Sequence, residues 1–321
     1  MASFTIIVES GRVFNWIFIP SVMLFMLIVR TVGFDTDIVT YATQMRHASG
    51  LDFYYLKEFI FWLGSRMIYS VFQDETISFL FMDLVWIITI IKVGNQMSLF
   101  NKENLNNALL LVLMTSFPFV FGYENIYRQF YATVFALLSY SLIENKYYKS
   151  FFFFLIAFFM HNIVALLIPL FLVKKFYNFK LPDRIQISLI ITLIFVACLS
   201  LLSKLKSSEQ TGIDLGIYYL LIFIILLVIG MLVFKNNIYI LFLKVPSLFF
   251  IVILMIGIVF LNIDMVSERL GMLFVCFVTY DLYKYTSEIK ERGIRSLVRL
   301  SLLLLFSLPT LLFESSKQFL M

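Results

Sequence analysis

Charge is what this chain of 321 residues has little of: only 14% is Asp, Glu, Lys or Arg, against about a quarter in soluble domains. That scarcity excludes a water-soluble enzyme and a disordered protein alike. The 25 basic and 20 acidic residues leave a net charge of +5, too little for a nucleic-acid face, so no nucleic-acid partner is expected. Histidine is rarer still. With His47 and His161 alone, one copy of the chain cannot build a multi-histidine metal centre, and neither metal nor cofactor is expected. The two cysteines, Cys198 and Cys276, both fall in apolar runs, where a thiol behaves as a small hydrophobe. There is no Gly-rich phosphate loop, no GxGxxG, no HExxH and no paired CxxC, which removes nucleotide hydrolysis and structural zinc.

What is abundant is hydrocarbon. Apolar residues make up 61% of the chain and the mean hydropathy is +0.95. The reading is an all-α polytopic membrane protein, since a backbone in lipid must satisfy its own hydrogen bonds. Nine stretches are long and apolar enough to span: 13–30, 75–92, 105–122, 126–143, 185–203, 216–234, 246–262, 268–285 and 296–313. The first ends at Arg30 without a small-residue cleavage site and reads as a retained anchor. No repeat or linker divides the chain, so 1–321 reads as one membrane domain.

Two segments do not read as simple spans. Residues 53–72, within an external loop over 31–74, are apolar but carry Lys57, Glu58 and Arg66, the pattern of an amphipathic helix lying in the membrane interface. Residues 151–173 are interrupted at His161 and Asn162 and have basic residues on both sides: Lys146 and Lys149 before, Lys174, Lys175, Lys180 and Arg184 after. The positive-inside rule places both flanks in the cytoplasm, which makes this segment a re-entrant helical hairpin with His161 near its tip.

Four polar constellations remain. Arg30 with Asp35, Asp37 and Tyr41, followed by Glu58, could bind a polar head group and take a proton from a hydroxyl, or be a solvated loop. Arg128 and Gln129 at the start of a span would offer a bidentate fork to a phosphate at head-group depth, where arginines also simply snorkel. His161, in an apolar segment, is a functional candidate unless it only bonds a neighbouring helix. Glu268 and Arg269 enter another span as an adjacent acid and base, a pattern equally suited to a helix-end ion pair. In addition, Asp83 lies inside the 75–92 span and must be protonated or paired within the bundle. Arginines 30, 128 and 269, each at a helix boundary near an acid, together suggest a polyanion site.

This ordered set resembles the EpsG/Wzy-like family of polysaccharide polymerases. The matching pieces are Arg30 with Asp37-xxx-Tyr41, Glu58 opening an aromatic helix, Arg128-Gln129 about 30 residues before Ala157-xxx-His161, and Glu268-Arg269. The resemblance implies a GT-C-like membrane glycosyltransferase in the bacterial cytoplasmic (inner) membrane. Its partners would be an undecaprenyl-diphosphate-linked glycan donor and acceptor, the lipid bilayer and a chain-length regulator protein. It would polymerise oligosaccharide repeat units at the outer face, with lipid diphosphate as leaving group. Arg30, Tyr41, Arg128, Gln129, Glu268 and Arg269 would bind substrate, and Asp37, Glu58 or His161 would be the catalytic base. An O-antigen ligase shares this logic but has a large external loop; a lipid-linked sugar flippase would show paired inverted repeats.

Overall fold

A bilayer forces every backbone amide to find its partner within the chain, and all the regular structure among the described residues is helical. The computed structural model describes residues 14–312 apart from 34–35, 47–57, 102–105, 125, 176–179, 181, 184, 188, 195–214, 234–237 and 261–263. Asp35, His47, Lys57 and Cys198 lie outside the described residues, as does most of the expected 185–203 span, of which 185–187 and 189–194 are helical. Where the sequence shows no boundary, the helices group into two compact units. The first comprises Met1–Ala165 and Thr286–Met321, the second Leu166–Tyr285. The first cut falls within an apolar run, whereas the second borders the short polar stretch from Ser287 to Gly293.

In the first unit a π-helical turn, Phe14–Phe18, leads into α1 (Ile19–Val32). Gly33 follows at φ 145° and ψ 177°, a backbone region open essentially to glycine alone. Beyond it the chain turns by 79° into α2 (Thr36–Arg46), a helix in what the sequence suggests is a loop. Next come α3 (Phe59–Phe72) and α4 (Glu75–Asn101). Between them Gln73 adopts the left-handed conformation, its N–H bonded to Tyr69 O, and the Asp74 carboxylate accepts the Ile77 N–H at 2.8 Å to start α4. Helix α3 spans about 21 Å by the 1.5 Å rise per residue, too short to cross a bilayer, and buries Phe61, Trp62 and Ser65. Its outward stripe of Phe59, Leu63, Met67 and Val71 is apolar and exposed.

Among the described residues, α4 alone contains a continuous helix long and apolar enough to cross a membrane unaided; the bent pair α1 and α2 would make a second. The expected span over 105–122 is instead two helices, α5 (Asn106–Thr115) and α6 (Phe117–Glu124), because Pro118 cannot donate a helical N–H and its ring crowds the preceding turn. The carbonyl of Thr115, left at the break, is taken by the Thr310 hydroxyl at 3.0 Å from α14 (Arg292–Leu312).

Helix α7 (Tyr127–Leu142) is the centre of this unit: every residue in it is buried except Arg128 and Phe135. It returns through a tight turn as α8 (Tyr147–Met160), antiparallel to it. The two helices approach closely because small residues line their contact. The Ser139 hydroxyl donates to Ser150 O at 2.6 Å and the Ser150 hydroxyl to Ser139 O at 2.8 Å. Eleven residues separate Ser139 from Arg128 and Ser150 from His161, about 16 Å and close to three full turns on each helix. The serine pair therefore sets Arg128 and His161 at one level. Helix α8 ends at Met160, confirming the interruption at His161, and a 3-10 turn over Asn162–Leu167 follows.

The second unit contains α9 (Ile168–Lys175), α10 (Leu215–Val233), α11 (Ile238–Lys244), α12 (Pro246–Phe260) and α13 (Asp264–Thr286). Pro246 opens α12, and the Asp281 carboxylate on α13 accepts the Ser247 N–H at 3.1 Å, placing negative charge at the positive end of α12. A Cβ on Gly271 would lie 2.7 Å from Tyr219, so α10 and α13 meet at a point where only glycine fits. Across both units large apolar side chains stay exposed in stripes, such as Ile77, Phe81, Leu84 and Ile88 on α4 and Ile217, Leu221, Ile225 and Leu232 on α10. Surfaces of this kind match a membrane environment.

Ser139→Leu should force α7 and α8 apart, costing about 1–3 kcal/mol. Thermal unfolding of the detergent-solubilised protein would show it, and an unchanged midpoint would contradict the serine contact as the determinant of the hairpin.

Candidate functional site

Arg128 occupies the first turn of α7, where a cation opposes the positive helix end and is disfavoured by roughly 0.3–1 kcal/mol. No side chain caps that end; Ile126 holds the cap position. The guanidinium is kept there by its surroundings. One of its terminal nitrogens donates a charged hydrogen bond to Glu58 Oε2. The rings of Tyr41 and Trp62 lie on it, each with its centroid 5.2 Å from the guanidinium carbon. Tyr41 comes from α2, Glu58 and Trp62 from the start of α3. The spacing explains the grouping: Glu58 and Trp62 are one helical turn apart, as are Asp37 and Tyr41.

Glu58 stands at the N-terminal cap of α3 but its carboxylate does not cap the helix; it faces Arg128 and His161. The other carboxylate oxygen, Oε1, is 3.3 Å from His161 Nε2. His161 Nδ1 in turn accepts the Ile163 N–H at 3.1 Å. A neutral imidazole whose Nδ1 accepts a hydrogen bond carries its proton on Nε2, so His161 donates to Glu58. The side chains remain only partly accessible, 17% for Arg128, 12% for His161 and 8% for Glu58. Asp37 is exposed in the first turn of α2, one turn before Tyr41. Gln129 is buried, and its Oε1 has no hydrogen-bond partner among the described residues, a state that is costly unless something else fills it.

Arg30 lies elsewhere. The sequence suggests a guanidinium at the membrane rim, but Arg30 is 3% exposed and forms a two-point ion pair with Asp83, Nε to Oδ2 at 3.0 Å and a terminal nitrogen to Oδ1 at 3.2 Å. It also donates to Tyr123 O at 3.3 Å and lies 4.0 Å from the Tyr123 ring centroid. Asp83, fully buried, further accepts the Trp86 indole N–H at 3.0 Å and the Tyr127 hydroxyl at 2.8 Å. The intramembrane acid thus finds its partner in the arginine expected at the surface. A charge deep in the bundle is costly without an opposite one, and α1 supplies it to α4.

Glu268 and Arg269 lie near the start of α13 in the second unit. Arg269 is half-buried, and the Glu268 side chain lies outside the described residues. No three His, Cys, Asp or Glu side chains among the described residues gather as a metal site. The structure brings together Tyr41, Glu58, Arg128 and His161, which the sequence singles out, with Trp62, which it does not. The clue to Trp62 is its place one turn after Glu58.

A model of the EpsG family matches residues 14–319. The chain belongs to the EpsG family. This is a Wzy-like family of polysaccharide polymerases, proteins of the membrane. No curated protein and no solved structure matches the chain. The EpsG match embraces both units, and the cluster around Arg128 is carried by the first.

Removing one partner of the Arg30–Asp83 pair strands the other, so Arg30→Met or Asp83→Leu alone should each cost about 3–5 kcal/mol. The double variant should recover a large part of that loss in thermal unfolding. Additive losses would contradict the pairing.

Proposed function

We propose that this EpsG-family protein polymerises undecaprenyl-diphosphate-linked oligosaccharide repeat units into a surface polysaccharide at the outer face of the bacterial cytoplasmic membrane. In the reaction a hydroxyl of the acceptor repeat unit attacks the anomeric carbon of the donor. The bond from that carbon to the lipid diphosphate breaks, a glycosidic bond forms, and the hydroxyl proton passes to a protein carboxylate. Diphosphate leaves readily once its growing charge is met, and Arg128 is the group that meets it.

The observation that carries this reading is the placement of Arg128. A permanently charged fork, partly accessible, stands at the uncapped positive end of a buried helix, where it weakens the helix but adds to its pull on an anion. Its orientation is set beforehand by Glu58, Tyr41 and Trp62. Glu58, held by two donors, serves as the positioning anion for Arg128, with His161 orienting it. Asp37, exposed one turn from Tyr41, is the base for the acceptor hydroxyl. The unfilled Gln129 oxygen suits a sugar hydroxyl.

Arg30, buried and engaged with Asp83, holds helices rather than substrate. Glu268 and Arg269 are proposed as further diphosphate contacts on residue type alone. The same reading takes in a GT-C-like arrangement of about nine spans, the re-entrant segment 151–173, the interfacial position of α3 and a chain-length regulator as partner. The exposed apolar stripe on the short α3 suits a helix seated among lipid head groups and upper acyl chains.

Arg128→Ala should abolish the ladder of products formed by purified protein from lipid-linked repeat units, with its unfolding midpoint nearly unchanged. His161→Ala should lower the rate by about ten- to a hundredfold with the fold intact. A normal ladder from Arg128→Ala would defeat the reading; vectorial movement of the lipid without a ladder would favour a transporter.

A further inference from the structure

The first turn of α7 carries two neighbouring side chains with opposite destinations. Arg128 meets Glu58 at the accessible cluster, whereas Tyr127 is wholly buried and sends its hydroxyl to Asp83 Oδ1 at 2.8 Å. That bond ties α7 to α4. The Tyr127 ring also lies against Phe79, with centroids 5.7 Å apart, and Phe61, at 6.2 Å. Phe61 in turn packs edge-on against Trp62, at 5.4 Å, and Tyr41, at 5.9 Å, the two rings that lie on Arg128. No side chain caps the start of α7; the Tyr127 bond ties its first turn to α4, and one turn later the Tyr131 hydroxyl donates to Met82 O at 2.9 Å on the same helix.

We propose that Tyr127 is a positioning residue for Arg128. Its anchored hydroxyl sets the rotation of the first turn of α7, so that the guanidinium is held against Glu58 before the anion arrives. The Arg30–Asp83 pair is the fixed point from which this positioning is made. The inference rests on the reading of Arg128 as the diphosphate ligand.

Tyr127→Phe removes one oxygen atom and keeps the ring, and Asp83 retains its bonds from Arg30 and Trp86. Trp86→Phe removes a bond to the same carboxylate oxygen from within α4 and keeps an aromatic ring against Phe130 of α7, which it meets edge-on at 5.2 Å, so the hydroxyl tie from α7 stays in place. Both variants, Arg128→Lys and the Tyr127→Phe/Arg128→Lys pair, would be assayed as full-length protein in vesicles with lipid-linked repeat units, with unfolding midpoints measured alongside. Tyr127→Phe should lower kcat by about tenfold with a midpoint within about 3 °C of the parent, and Trp86→Phe should leave kcat unchanged. The double variant should be no slower than Arg128→Lys, because both changes act through one guanidinium.

Equal kcat losses in Tyr127→Phe and Trp86→Phe would overturn the proposal, as would losses that multiply in the double variant. A large midpoint drop in Tyr127→Phe together with non-multiplying kcat losses still supports it, since shared dependence on Arg128 is not a property of general destabilisation. If Arg128→Ala is inactive while Tyr127→Phe matches the parent, the polymerase reading stands and this inference alone falls. If Arg128→Ala polymerises normally, both fall.

Discussion

An ionised carboxylate in the middle of a hydrophobic bundle must be answered by an opposite charge, and the first unit is organised around that demand. Asp83 receives Arg30 from α1, Trp86 from its own helix and Tyr127 from α7. Arg30 in turn is stacked by Tyr123 and bonded to the Tyr123 carbonyl at the end of α6. One buried anion therefore connects four helices, α1, α4, α6 and α7, of which α6 is a short piece of a span broken at Ser116 and too brief to hold its place by length alone.

The cluster around Arg128 uses the same chemistry at lower burial. Glu58 does for Arg128 what Asp83 does for Arg30, but its arginine remains partly accessible. Burial separates the two pairs: the sealed pair holds helices, and the partly open pair keeps some exposure. Residue type did not distinguish them, since each arginine lies at a helix boundary with an acid in reach.

This is where the sequence was legible and where it was not. The membrane class, the helix starting after Glu58 and the break at His161 follow from local signals, namely apolar length, spacing and an expensive polar group in a greasy segment. The partner of Asp83 was hidden because 53 residues separate it from Arg30 and nothing local links them. The helix Thr36–Arg46 was hidden because its polar residues resemble a loop, and its apolar face, including Ile38, Tyr41, Ala42 and Met45, is read only once α3 is seen beside it. The broken span at 105–122 could have been suspected from Pro118, whose effect a count of apolar residues does not register.

The serine contact between α7 and α8 turns the stretch from Arg128 to His161 into a ruler. One residue added to or removed from either helix between a serine and its functional neighbour would swing that neighbour about 100° around the helix axis and move it about 1.5 Å along it. Side chains facing lipid within this stretch are free to drift in evolution, but its length on each side of the turn is not.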